Sequence, residues 1–229
     1  SNYMHRGSAK MKIKDAYAQS VNASAVMILL ACGLKNTINL VKKLGVEQDI
    51  KENPSLALGG FNASLLELVT TVVPIINNGY KANAYCIEEI RDAATDELLY
   101  KHRMHFEKVL DSRTVWYMWN LMQYVKTGTA RSLRSVSDKL VGGKTGKSND
   151  YRDLVFVGAT PDYIFGAWCG RDDFTPMTCV LGSNLAVLAC RYFLEAMPPI
   201  RADENTLRDL DVEPGFQYNT STFEDLLLQ

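Results

Sequence analysis

Histidine is scarce in this 229-residue chain, with three in all, and the five cysteines are odd in number. Cys32, Cys86, Cys169, Cys179 and Cys190 follow no zinc-ligand spacing. They read as free thiols packed as small hydrophobes. A Cys169–Cys179 or Cys179–Cys190 bridge is the alternative in an oxidising compartment. His102 and His105 stand three apart without an acidic or thiol partner, so they read as surface loop residues and no metal or cofactor is expected. Long apolar runs are also missing. The longest, residues 23–32, is well short of the ~20 residues a bilayer span needs. No signal-peptide pattern opens the chain, so any anchor or export signal is expected outside it. Charge of one sign is missing too: a formal net charge of −1 gives no basic field for nucleic acid or anionic membrane. There is no internal repeat.

What is present suits a globular chain, with 47% hydrophobic and 22% charged residues. Residues 11–32 are Ala-rich without Pro or Gly and read as helix, ended by Gly33. Asn36 caps a second expected helix through Leu44, with Gly45 behind it. Residues 51–62 read as loop around Pro54 and Gly59-Gly60. Ser64 and Glu67 form a capping box opening a helix that carries Leu65, Leu68, Val69, Val72, Val73 and Ile76 and stops at Asn77-Asn78-Gly79. Residues 85–91 and 98–100 suggest a peripheral hairpin. An aromatic-rich helix is expected over 112–125, with Trp116, Tyr117, Trp119 and Tyr124 as core or interface. A polar linker runs from Gly128 to Asp138. Strands are expected over 140–145, 155–159 and 164–169, the last two joined by Thr160-Pro161-Asp162. A helix is expected over 183–197, stopped by Pro198-Pro199. The tail 201–229 is acidic and loop-like. Helices, then sequential antiparallel strands, then a helix predict an α+β fold.

Two Lys-Thr-Gly strings occur. Lys126-Thr127-Gly128 falls where the aromatic helix ends, so Gly128 reads as a cap. Lys144-Thr145-Gly146 falls on a strand after Gly142-Gly143, glycines expected to let a ligand approach its backbone. The stretch 142–148 also ends like a phosphate loop. Its first glycine would be position 141, which is Val141, and a strand rather than a helix follows, so nucleotide binding is not expected. Ser20-Val21-Asn22 is a weak signal alone. Residues two apart on a regular helix point apart, so a shared cleft requires the helix to break near residues 19–22. Cys32-Gly33-Leu34-Lys35 imitates a nucleophile-x-x-Lys motif, but its thiol has no base nearby and reads as inert.

Read together, these residues resemble the transpeptidase domain of class A penicillin-binding proteins, bifunctional peptidoglycan synthases. The likeness runs through Asn2-Tyr3, Arg6-Gly7, Ile13-Lys14-Asp15-Ala16-Tyr17-Ala18-Gln19-Ser20-Val21-Asn22, Leu66-Glu67-Leu68 and Gly128-Thr129-Ala130. It continues through Asn149-Asp150-Tyr151-Arg152-Asp153 and Gly158-Ala159-Thr160-Pro161-Asp162. It covers residues 2–198, which implies a partial transpeptidase domain over 1–198 and a tail over 199–229. The family uses Ser-x-x-Lys, Ser-x-Asn and Lys-Thr-Gly. The last two are present; no lysine of this chain has a serine three before it, so the nucleophile and its lysine are absent. The simplest reading is a fragment cut downstream of the nucleophile.

The resemblance implies a penicillin-binding-protein or serine β-lactamase-like fold, truncated to a helical part, a small antiparallel sheet and a C-terminal helix. It implies acyl transfer between peptidoglycan stem peptides, with β-lactams read by the same groups once the site is complete. Ser20 and Lys144 would be catalytic. Asn22 would bind the donor amide and Thr145 the terminal carboxylate, with Gly146 also substrate-binding. The Lys147 N–H would be one oxyanion donor. Where the family has Thr or Ser after Lys-Thr-Gly, this chain has Lys147, and Ser148 or the Lys147 ammonium is expected to replace the lost hydroxyl. The implied location is the bacterial envelope, on the outer face of the cytoplasmic membrane, with a glycosyltransferase domain in the parent protein. The chain alone is expected to be inactive, and its exposed sheet edge to allow a homodimer. A non-catalytic module binding stem peptides or a protein partner is the alternative.

Overall fold

The computed structural model describes residues 11–136, 140–177, 184–198 and 227–228. Behind a two-residue strand β1 (Met11–Lys12) come α1 (Ile13–Gln19), α2 (Asn22–Cys32) and α3 (Leu34–Lys43). The helix therefore breaks at residues 20–21, as a shared cleft requires. Asn36 is not the cap of α3. Gly33 is, with φ 85°, and Asn36 sits one turn inside, donating its amide to the Cys32 carbonyl at 2.9 Å. A positive φ costs glycine nothing, so the chain bends 95° between α2 and α3 there. At the other end Gly45 N–H returns to Lys42 and Val46 N–H to Val41, a complete Schellman closure.

The loop 51–62 contains a 3-10 turn, Pro54–Leu58, capped by the Asn53 side chain. The capping box is present: Ser64 accepts from the Glu67 N–H, and Glu67 accepts from the Ser64 N–H at 2.8 Å. The helix behind it is two pieces rather than one, α4 (Leu65–Thr70) and α5 (Val73–Ile76). Pro74 is the reason: it has no N–H to give Thr70, and its ring crowds that carbonyl.

The peripheral hairpin is β3 (Glu89–Arg91) with β4 (Leu98–Lys101), nested between β2 (Tyr80–Ala82) and β5 (Phe106–Lys108), which also pair antiparallel. His102 stacks on Tyr85 there, ring centroids 3.9 Å apart. Asp111 caps α6 (Ser112–Gln123), which buries Trp116, Trp119 and Met122. Two 3-10 turns follow, Tyr124–Thr127 and Arg131–Val136. The expected polar linker is thus ordered through Val136, because Leu133 and Val136 are buried and fix it to the core.

β6 (Gly142–Lys147), β7 (Asp153–Ala159) and β8 (Ile164–Gly170) form one antiparallel sheet in that order. β6 starts and ends two residues later than the alternation suggests, because its pairing with β7 sets its limits. It leads into a 3-10 turn, Asn149–Tyr151, rather than a helix, so the phosphate-loop likeness has no structural counterpart. α7 (Leu185–Ala196) is capped by Asn184; Ser183, the expected start, lies outside the described residues. β9 (Leu227–Leu228) pairs antiparallel with β1; the rest of the expected tail lies outside the described residues.

The sheet lies between two helical layers. Phe156 and Phe165 pack with Val187, Cys190 and Leu194 of α7 on one face. Val157 and Ala159 pack with Trp119 and Met122 of α6 and Val72 and Ile75 on the other. β7 is central and covered on both sides, so its residues are buried almost without interruption. A smaller cluster of Leu29, Val46, Ile50 and Leu56 holds α2 and α3. The described cysteines Cys32, Cys86, Cys169 and Cys190 are free thiols, and both alternative bridges involve Cys179, outside the described residues. Two of the four are exposed rather than packed, Cys32 and Cys86. No single helix among the described residues is long and apolar enough to cross a membrane.

Candidate active site

Ser20 sits in the left-handed region, φ 53° and ψ 52°, between α1 and α2. Its N–H bonds the Tyr17 carbonyl at 3.0 Å, and Val21 N–H bonds Ala16 at 2.9 Å, which stops α1. A left-handed serine costs about 1–2 kcal/mol, and that conformation presents its side chain to the sheet. There Lys144 Nζ donates to Ser20 Oγ at 2.6 Å, over 124 residues of sequence. Lys144 Nζ also donates to the Thr145 carbonyl at 2.9 Å and lies 5.8 Å from the centre of the Tyr17 ring. Burial drives the Lys144 ammonium down to about 8. The neutral amine is therefore within reach near neutral pH. A lysine so poised, bonded to a hydroxyl, can pass protons in either direction.

Tyr17 ties the two halves together. Its hydroxyl donates to the Gly143 carbonyl at 2.9 Å, and burial pushes its own ionisation well above the ordinary tyrosine range. Sequence reading did not single it out, because a tyrosine inside an Ala-rich helix signals core packing rather than a site.

The backbone of β6 divides by parity. Ser148 N–H bonds the Asp153 carbonyl at 3.1 Å. In an antiparallel pair the bonded positions alternate, so residues 142, 144 and 146 face β7 and residues 143, 145 and 147 turn their N–H and carbonyl groups outward. The Gly143 and Thr145 carbonyls, taken by Tyr17 and Lys144, agree. The Lys147 N–H therefore points away from β7, off the other edge of β6.

Side chains divide the other way. Lys144 projects toward Ser20, while Thr145 and Lys147 share the opposite face. Thr145 Oγ1 bonds Thr129 Oγ1 at 2.7 Å. Lys147 Nζ is exposed and lies 4.7 Å from the centre of the Tyr151 ring. Gly146 is exposed, with Val155 its nearest neighbour at 3.6 Å from a virtual Cβ, so the strand is open there. Ser148 Oγ accepts from the Asp153 N–H at 2.7 Å and closes the β6–β7 connection. Asn22, exposed, opens α2.

The Gly142-Gly143 pair has a meaning that differs from expectation. A Cβ on Gly142 would meet Trp119 and Met122 at 3.0 Å, and one on Gly143 would meet Phe156 and the Val157 carbonyl at 2.6 Å. Those glycines admit protein, not a ligand. Gly128 is a cap, as expected, of the 3-10 turn Tyr124–Thr127, and in addition a Cβ there would fall 1.8 Å from the Ala18 carbonyl. The second Lys-Thr-Gly string is thus where the post-α6 loop packs against the last turn of α1, and Thr129 N–H bonds that same carbonyl at 3.0 Å. No group of three or more His, Cys, Asp or Glu able to hold a metal occurs among the described residues.

Residues 1–162 match the family described as the penicillin binding protein transpeptidase domain. Penicillin-binding protein 1B of Vibrio cholerae is 29% identical over 201 residues, 86% of this chain and 26% of that one. Penicillin-binding protein 1A of Aquifex aeolicus is 31% identical over 172 residues, 75% of this chain and 23% of that one. The chain thus spans about a quarter of the length of the curated relatives it matches. Among solved structures, penicillin-binding protein 1A from Haemophilus influenzae superposes with a TM-score of 0.70 at 17% identity, over 84% of this chain and 36% of that one. The imipenem acyl-enzyme of penicillin-binding protein A from M. tuberculosis superposes at 0.66 and 12% identity, over 81% and 47%. The structural likeness shows the fold.

Proposed function

The chain belongs to the penicillin-binding protein transpeptidase family, and on that premise we propose that it forms the Ser-x-Asn and Lys-Thr-Gly arms of a serine D,D-transpeptidase. The Lys144–Ser20 hydrogen bond of 2.6 Å carries this reading. In the complete enzyme a serine outside this chain attacks the penultimate D-Ala carbonyl of a stem peptide. The C–N bond breaks, and D-Ala leaves with a proton relayed through Ser20. An amine of a second stem then takes the acyl group and frees the serine. Lys144 holds the Ser20 hydroxyl and supplies positive potential. Asn22 holds the donor amide, and Thr145 the terminal carboxylate. The outward Lys147 N–H is one oxyanion donor, which the alternation of β6 supports. β-Lactams are ligands of the same groups. The parent protein sits at the bacterial envelope, on the outer face of the cytoplasmic membrane, and carries a glycosyltransferase domain.

The open outer edge of β8, which among the described strands pairs only with β7, supports association of two chains edge to edge.

Incubation with a fluorescent penicillin, followed by a denaturing gel and intact mass, tests the reading. The expected result is no covalent adduct, with reversible shifts of the Ser20 and Lys147 amide resonances on adding penicillin. A stoichiometric adduct would place the nucleophile elsewhere in this chain. The absence of any shift would remove Lys144 and Ser20 as a β-lactam site.

A further inference from the structure

Thr145 has one hydroxyl proton, and its oxygen lies 2.7 Å from that of Thr129. One proton must lie between the two oxygens, so a carboxylate arriving at Thr145 meets a pair of hydroxyls rather than one. The pair is held rigidly from behind. Thr129 N–H bonds the Ala18 carbonyl at 3.0 Å, and Ala130 N–H bonds Val125 at 3.0 Å. Gly128 on one side and Ala130 on the other are buried, yet the Thr129 side chain is exposed. A short polar side chain turned to solvent from an immobilised backbone, beside a proposed ligand contact, is built like a binding group rather than a surface residue. The strand position after Lys-Thr-Gly holds no hydroxyl, because Lys147 stands there with its ammonium over the Tyr151 ring.

We propose that Thr129 is the second hydroxyl donor to the substrate's terminal carboxylate, doing from the loop behind α6 what the lysine-bearing position of β6 does not. This rests on the reading of Thr145 as the carboxylate contact. A carboxylate is a charged acceptor with two oxygens and outcompetes a neutral hydroxyl for both protons. Thr129 and Thr145 then rotate from each other to the ligand, one hydroxyl to each oxygen, with no heavy-atom rearrangement.

The test compares binding of a diacetylated Lys-D-Ala-D-Ala tripeptide with that of its C-terminal amide, by NMR titration of the whole chain. The wild type is expected to prefer the acid. Thr129→Val should cut that preference about tenfold, Thr145→Val by a similar factor, and Thr129→Ser should keep it. Unchanged amide spectra away from the loop show that each variant is folded. A preference lost in Thr145→Val but kept in Thr129→Val would overturn the role of Thr129 and leave the site reading standing. Loss in Thr129→Ser as well would assign the effect to the methyl group and also overturn it. A wild type that does not distinguish acid from amide would remove the carboxylate site and this proposal with it.

Discussion

Lys144 is the residue on which the site turns, and burial sets its chemistry. Its ammonium titrates near 8 in the folded chain against 10.5 for an ordinary lysine. Between these values the unfolded chain binds more protons, so stability rises as pH climbs from about 8 to 10.5, and the burial penalty is fully present below 8. The effect is at most about 3 kcal/mol. Burial raises the Tyr17 and Cys190 ionisations, which lowers stability over the upper part of the same window, so the difference isolates Lys144: the urea midpoint of the wild type should rise relative to that of Lys144→Met from about pH 8 to 10.5. Side-chain NMR should show the Lys144 titration directly. In Ser20→Ala it should move further down, because the hydroxyl that accepts from the ammonium is gone; an upward move would contradict the bond. Gly128 makes a steric prediction. A methyl placed 1.8 Å from the Ala18 carbonyl forces the loop off α1, so Gly128→Ala should cost about 1–3 kcal/mol in denaturant unfolding. At this scale the sequence was legible where a motif singles out its residues, as it did Ser20 and Lys144, which the fold brings into hydrogen-bond contact. Thr129 and Tyr17 were not, since the Oγ–Oγ contact of one and the Gly143 bond of the other join residues far apart in the chain.

Among the elements, α4 is the one whose start is written most fully in the sequence. Ser64 and Glu67 satisfy each other's backbone N–H groups, and Glu67 also accepts from the Glu47 N–H at 3.2 Å, joining α4 to the turn behind α3. These bonds hold the Glu67 carboxyl below the usual range, so their contribution is present at neutral pH and is lost as pH falls through the carboxylate range. Ser64→Ala should lower stability by about 1 kcal/mol, and a midpoint unchanged within error would mean the cap contributes nothing. Element type was readable wherever local chemistry decides it: the capping box, the helix end at Gly45, the Thr160 turn. Boundaries failed where a distant partner decides. β6 takes its limits from β7, and the expected linker is ordered because Leu133 and Val136 find a core to enter. Pro74 was visible in the sequence and is sufficient to divide α4 from α5.

For the whole molecule, covered and open surfaces divide sharply. The sheet is sandwiched on both faces, while β8 keeps an open edge among the described strands. α2 buries only Ser24 and Leu29 and exposes Met27 and Leu30 by half or more. Sedimentation over a range of concentrations should show reversible association; a monomer throughout would exclude the edge-to-edge dimer. The sequence by itself determined the family, the α+β order of elements and the two motifs, because spacing, capping and alternation are local properties that survive in a string of letters. Tertiary structure alone decided that Ser20 turns left-handed to meet Lys144, that Gly142 and Gly143 make room for α6 and Phe156 rather than a ligand, and that the unused Lys-Thr-Gly string braces the site through Gly128. Each of these depends on which distant surface a residue meets. Burial and close contact are set by packing in three dimensions, which no local pattern records.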